Sequence, residues 1–250
     1  MLDLDSIQTL LIDGDGVLWR GDEAILGLNE FAAVMKKRGI RWALLTNNNS
    51  RTVSDYVAKL KEFGLDAGED MVYTSSTATA DYLKERFGAG APIHAVGMSG
   101  LTETLKEAGF QLTHGEQKPD YPVVAVAAGM DRQINLEKIK IAVRLILGGA
   151  EFVATNTDGT YPAPGGLSPG TGMVIGALQG SSGVTPTVIG KPQRAIFETA
   201  MKALDANPAT TAMIGDRMNT DILGAQRVGI GTIGVLSGVT TREQLETSEI

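Results

Sequence analysis

The chain has 250 residues, enough for one large domain or for a core carrying a second, smaller one. Its 43% apolar and 20% charged residues exclude a disordered or fibrous polypeptide, and a formal net charge of -7 argues against a nucleic-acid binder with a broad basic surface. The absence of cysteine excludes disulfides, thiolate nucleophiles and Cys-ligated zinc, and it fits a cytoplasmic protein.

No apolar run approaches the roughly 20 residues of a membrane span, and the acidic N-terminus lacks the basic start of a secretory signal. Short runs rich in Val, Ile, Leu and Thr alternate with stretches of helical periodicity. This predicts an α/β fold built on a mostly parallel sheet, in which ligands bind beyond the carboxyl ends of the strands.

The first core strand is expected at 7–13 and ends in Asp13-Gly14-Asp15-Gly16. An EF-hand loop starting at Asp13 would need ligands where Val17 and Ala24 stand, and a dinucleotide fingerprint would need glycine in place of Trp19. Taken alone, the motif also fits an ordinary Asp/Gly turn. The second strand, 41–46, ends in Thr46-Asn47-Asn48-Asn49-Ser50, a run that suits either a phosphate or a helix N-cap. A capping box at Thr52-Val-Ser-Asp55 then predicts a helix through Tyr56, Leu60 and Phe63 to Gly64. A third core strand is expected at 71–74.

The middle of the chain predicts a second α/β unit, with strands near 93–97, 122–127 and 151–155 and helices near 100–109, 135–148 and 171–180. A Gly/Pro-rich stretch at 161–172 interrupts it. The domain limits are therefore set at 1–79 and 185–250 for the core and 80–184 for the insertion. The two histidines, His94 and His114, fall in this unit and are expected to be structural or solvated. Core strands are expected again at 186–189, 211–215 and 231–235. Lys191 follows the first of these, with Pro192 opening the next helix; Asp216 and Asp221 follow the second.

Each cluster has an ordinary reading as a turn, a cap or a solvated lysine. Four strands delivering complementary groups to one sheet edge would need all those readings at once. Like charges about 4 Å apart repel by about 4 kcal/mol at an effective dielectric of 20, so gathering Asp13, Asp15, Asp216 and Asp221 calls for a cation. An all-oxygen site of this kind favours magnesium.

In order, Asp13-Gly-Asp15-Gly-Val-Leu, Thr46-Asn47, Lys191 and Gly215-Asp216-Arg-Met-Asn-Thr-Asp221 resemble the four motifs of the haloacid dehalogenase (HAD) superfamily. The phrases ATNTDGTYP, SPGTGMVIGAL and GKPQRAIFETA are similar to its NagD-type, 4-nitrophenylphosphatase-like branch with a class IIA cap, and the likeness runs from Leu10 to about Leu245. The resemblance implies a Rossmann-like core with an inserted α/β cap. It also implies a hydrolase that uses Mg²⁺ to cleave small phosphate monoesters through an aspartyl-phosphate.

By the same resemblance Asp13 is the nucleophile, Asp15 the general acid and base, and Lys191 the group that offsets developing charge. Thr46 and Asn47, with Lys191, bind the phosphoryl oxygens. Asp13, the Asp15 carbonyl and Asp216 hold the metal, and Asp221 orients its waters. Asn156, Asp158, Asp131 and Arg132 are the expected cap contacts. The implied partner is a small phosphorylated metabolite, with no nucleic acid and no membrane, and a homodimer is admissible. The branch also implies a further strand and helix beyond GVTTREQL, and this sequence stops at Ile250, so the expectation is a C-terminal edge either abbreviated or trimmed. Two competing classes are a non-catalytic phosphate or nucleotide-binding module on the same fold and a nicotinamide-dependent oxidoreductase, the latter disfavoured by the missing fingerprint.

Overall fold

Leu10, Leu11 and Ile12 are all buried, which requires cover on both faces of the strand they form, Thr9–Ile12. In a strand successive side chains point to opposite faces. Accordingly Leu10 and Ile12 pack with Trp19, Trp42, Leu44, Tyr56 and Leu60 on one side. Leu11 joins Ala43, Leu45, Phe197 and Met213 on the other. The computed structural model, which describes residues 3–163 and 165–248, places this strand at the centre of a five-stranded parallel sheet. Its order from edge to edge is Gly231–Gly234, Thr211–Gly215, Thr9–Ile12, Arg41–Thr46 and Val72–Thr74.

Strand order reverses around Thr9–Ile12, since the chain continues to Arg41–Thr46 on one side and returns much later to Thr211–Gly215 on the other. This is the topological switch at which α/β sheets open a crevice. The expected capping box is present: Thr52 and Asp55 each cap the other's backbone at the start of the helix Val53–Glu62.

The helix Ser75–Phe87 leads into a second five-stranded parallel sheet, ordered Thr187–Val188, Glu151–Ala154, Ala125–Ala128, Pro92–Val96 and Gln111–His114. One of its faces, carrying Ile93, Ala95, Ala125, Ala127 and Val153, shares a continuous apolar cluster with Leu11, Leu45 and Met213 of the first sheet. The other face packs Val126, Phe152 and Ala154 against the helices Leu136–Leu147 and Thr171–Ser182. The two units are thus seated on one another by a common buried layer.

Several sequence expectations are corrected. Residues 186–189 do not form a core strand: Thr187 and Val188 pair with Val153 and Ala154 at the edge of the second sheet. The backbone amides of Ile189 and Gly190 continue this ladder onto Ala154 and Thr155. A short apolar run carries no information about which sheet supplies its partner. Pro192 does not open the following helix, which starts at Arg194; the Lys191-Pro192 peptide is cis and lies in the preceding turn. The strand Gln111–His114 was not expected, nor was the antiparallel hairpin Thr160–Ala163 and Gly166–Pro169 in the Gly/Pro-rich stretch. His94 is fully buried and bonded to Thr113, whereas His114 is exposed. Among the described residues no helix is long and apolar enough to cross a membrane.

Candidate active site

The strand Thr9–Ile12 ends at Asp13, whose amide still bonds the Ile214 carbonyl of the neighbouring strand at 2.9 Å, so the carboxylate emerges at the sheet edge. Lys191 Nζ reaches it from the turn after Thr187–Val188, 2.6 Å from Asp13 Oδ1. The same ammonium lies 2.6 Å from Asp221 Oδ1 and 2.7 Å from the Leu45 carbonyl. All three of its protons are therefore committed in a site where Lys191 is only 3% exposed. Burial works against the ammonium, yet Asp13 and Asp221 outweigh it and hold Lys191 above the ordinary lysine range.

Burial pushes the Asp13 carboxyl well above the usual carboxylate range; Lys191 pulls it back, and Asp221 and Asp216 raise it further. Asp216 is likewise raised by burial and by Asp221. Its Oδ2 accepts the Val239 amide at 2.7 Å. Its Oδ1 is buried and has no hydrogen-bond partner among the described residues. Oxygens of Asp13, Asp216 and Asp221 can come within 4.8 Å of one another, a set that could hold a hard cation. A buried carboxylate oxygen left without a partner on a member of this cluster fits a metal. Gly238 lets its backbone pack directly against Asp216, because a Cβ there would lie 1.8 Å from Asp216 Oδ2.

Asp15 stands in the turn after Asp13 and is fixed by two neighbours that sequence reasoning missed. Trp19 Nε1 donates to its Oδ1 at 3.0 Å, and Asn48 Nδ2 donates to its Oδ2 at 2.9 Å. Trp19 belongs to a two-stranded flap, Trp19–Arg20 with Glu23–Ala24, and stacks on Tyr56 at 6.2 Å between ring centres. Gly14 admits the indole: a Cβ at that position would fall 2.4 Å from it. The available signal was an aromatic N–H donor four residues beyond the carboxylate.

The cleft above these groups opens between the two sheets, with Thr46, Asn47, Asn156, Asp158 and Arg132 on its walls. Asn156 is buried and donates to the Asn47 carbonyl at 2.7 Å. Burial raises the Asp158 carboxyl, with Arg217 and Asn47 opposing. Arg132 lies over the Tyr161 ring at 5.8 Å. Asp131 does not reach the cleft: its carboxylate accepts the Gln133 amide at 2.8 Å and pairs with Lys138 at 2.8 Å, which turns it into its own loop. Arg217 was not anticipated; it lines the cleft from the core side and donates to the Thr160 carbonyl of the insertion.

A parallel sheet whose switch point presents an Asp/Lys pair and a carboxylate cluster beneath a second α/β unit defines a hydrolase of the HAD class. Comparison with known proteins agrees. A family model described as haloacid dehalogenase-like hydrolase matches residues 10–111, and a second, HAD-hydrolase-like, matches residues 188–250. An acid sugar phosphatase of Staphylococcus aureus is 37% identical over 97% of this chain and 92% of its own length. Among solved structures, a 4-nitrophenylphosphatase from Thermotoga maritima superposes with a TM-score of 0.89 at 33% identity, covering 99% of this chain and 92% of that one. A glycerol phosphate phosphatase from Mycobacterium tuberculosis, solved with magnesium, has a TM-score of 0.89 at 30% identity and covers 98% and 73%. The chain belongs to the haloacid dehalogenase-like hydrolases, in their 4-nitrophenylphosphatase, NagD-type family.

Proposed function

We propose that this chain hydrolyses small phosphate monoesters of the sugar phosphate or glycerol phosphate kind, with Asp13 as nucleophile and Mg²⁺ as cofactor. The observation that carries the reading is the 2.6 Å contact of Lys191 Nζ with Asp13 Oδ1, buried at the floor of a cleft that also holds Asp15. The family and the names of its relatives support the ester class. With no cysteine in the sequence, a cytoplasmic site of action fits.

Asp13 attacks phosphorus as the bond to the leaving oxygen breaks, and Asp15 gives that oxygen its proton. Water then loses a proton to Asp15 and attacks the aspartyl-phosphate, releasing phosphate and restoring Asp13. Lys191 stands where negative charge grows on the phosphoryl oxygens, an electrostatic contribution that costs no reorganisation at the moment of reaction. Thr46 faces the same cleft and serves the phosphoryl group, together with the backbone of Asn47. Asp13, Asp216 and the Asp15 carbonyl would hold the magnesium, with Asp221 beside them; when bound, it supplies positive charge opposite the phosphoryl oxygens. Arg132 is the cap group placed to meet the leaving group, whereas the Asn156 amide is spent on the Asn47 carbonyl and the Asp158 backbone amide.

The test is Mg²⁺-dependent release of phosphate from 4-nitrophenyl phosphate, suppressed by EDTA and lost on Asp13→Asn. Binding of phosphate analogues without turnover of any monoester would mark a non-catalytic binding module instead.

A further inference from the structure

Asn47 follows Thr46 at the strand end, where its side chain is expected on phosphate, yet every polar atom of that side chain is engaged by protein. Oδ1 accepts the Lys191 backbone amide at 2.8 Å. Nδ2 donates to the Lys191 carbonyl at 3.0 Å and to the Asp158 carboxylate oxygens at 3.3 and 3.2 Å. The Asn47 carbonyl in turn collects Ser75 Oγ at 2.7 Å, Asn156 Nδ2 at 2.7 Å and Asn49 Nδ2 at 3.3 Å. This joins the core strand end, the helix Ser75–Phe87 and the loop after Glu151–Ala154 in one buried network.

An amide that both accepts from and donates to one backbone residue fixes that residue's position and orientation together. Packing leaves no slack here, since a Cβ at Gly190 would lie 2.5 Å from Asn47 Oδ1 and 2.6 Å from the Thr155 carbonyl. The residue so clamped is Lys191, whose ammonium bridges Asp13 and Asp221. The outer end of the chain of contacts is Asp158. Arg217 acts on its charge while holding the Thr160 carbonyl two residues further on.

We propose that Asp158 and Asn47 are positioning residues: the cap-loop carboxylate holds the Asn47 amide, and that amide sets where Lys191 meets Asp13. The inference rests on the phosphatase reading above. It replaces a leaving-group contact for Asp158 with an action through Asn47 on the phosphoryl end of the substrate. Positioning of Lys191 is felt equally by every ester, because the phosphoryl group is common to all of them. A leaving-group contact would be felt in KM and would differ between esters.

The experiment is steady-state kinetics at saturating Mg²⁺ on 4-nitrophenyl phosphate and glycerol phosphate, with melting temperatures recorded alongside. Asp158→Ala is expected to lower kcat by about 10- to 100-fold, by the same factor for both esters, with KM shifted by less than about threefold. Asp158→Asn keeps an acceptor for the Asn47 amide and is expected to retain kcat within about threefold. Asn47→Ser reads the same link from the other end and serves if Asp158→Ala does not fold. Unchanged kcat in the folded variants overturns the proposal, as does a loss confined to KM or one that differs between the two esters. Wild-type protein that turns over neither ester would overturn the phosphatase reading instead.

Discussion

Trp19 Nε1 donates to Asp15 Oδ1 at 3.0 Å, so a residue of the flap holds the proposed acid and base of the reaction. The indole is itself clamped by Tyr56 and by the Lys59 ammonium, which lies 4.6 Å from its ring centre. Trp19→Phe keeps an aromatic ring but removes the donor. It is expected to lower kcat by about tenfold or more for an alkyl phosphate, a loss in the range of general acid catalysis. The loss should be smaller for 4-nitrophenyl phosphate, whose leaving oxygen needs less protonation. Equal losses on the two esters would show that Asp15 does not depend on this bond for proton transfer.

Lys191 is the cation between Asp13 and Asp221. Lys191→Met leaves two buried carboxylates facing each other, and removing one partner of such a group costs about 3–5 kcal/mol of stability. Chemical denaturation should show that loss, and kcat should fall by at least about 10²-fold as the charge opposite the phosphoryl oxygens disappears. A variant as stable as wild type would mean that the carboxylates do not rely on Lys191.

Metal binding is expected to stabilise the fold independently of turnover. The orphaned Asp216 Oδ1 and its neighbours Asp13 and Asp221 repel one another when ionised. Mg²⁺ at about 100 times its dissociation constant should add about 2.7 kcal/mol to unfolding, read as a rise in melting temperature. Asp216→Asn should abolish most of that rise. A rise that persists in Asp216→Asn would place the ion elsewhere.

His94 predicts an acid-sensitive step away from the active site. Burial, with a smaller contribution from His114, lowers its pKa from 6.5 to about 4. Between those values the unfolded chain binds a proton that the native ring refuses, so the His94 contribution is complete above about pH 6.5 and is lost as pH falls towards 4. The full difference amounts to about 3 kcal/mol. His94→Leu should flatten the wild-type slope over this range, measured by urea unfolding at a series of pH values. An unaltered slope would assign the acid sensitivity to carboxylates.

The catalytic edge was legible in the sequence because parallel strands deliver their carboxyl-terminal residues to one rim. Asp13, Thr46 and Asp216 could be placed there from core strand ends alone, and the structure brings them to the same cleft floor or its carboxylate cluster; Lys191 joins them from the turn after Thr187–Val188, an edge strand of the second sheet. What stayed hidden depends on partners distant in sequence. Thr187–Val188 reads as a strand but takes its neighbour from the second sheet. Asp131 looks like a cleft residue until Lys138, one helical turn into the next element, captures it. Asn47 reads as a phosphate ligand, and only the fold shows that Lys191 and Asp158 already occupy its side chain.

The central claim is that Asp13 itself becomes phosphorylated. Asp15→Asn weakens the activation of water while 4-nitrophenolate still leaves readily, so the covalent species should accumulate. Acid quench of this variant with 4-nitrophenyl phosphate and Mg²⁺, followed by peptide mass spectrometry, should find one phosphoryl group on Asp13. A burst of 4-nitrophenolate with Asp13 unmodified, or with the phosphoryl group on another residue, would contradict it.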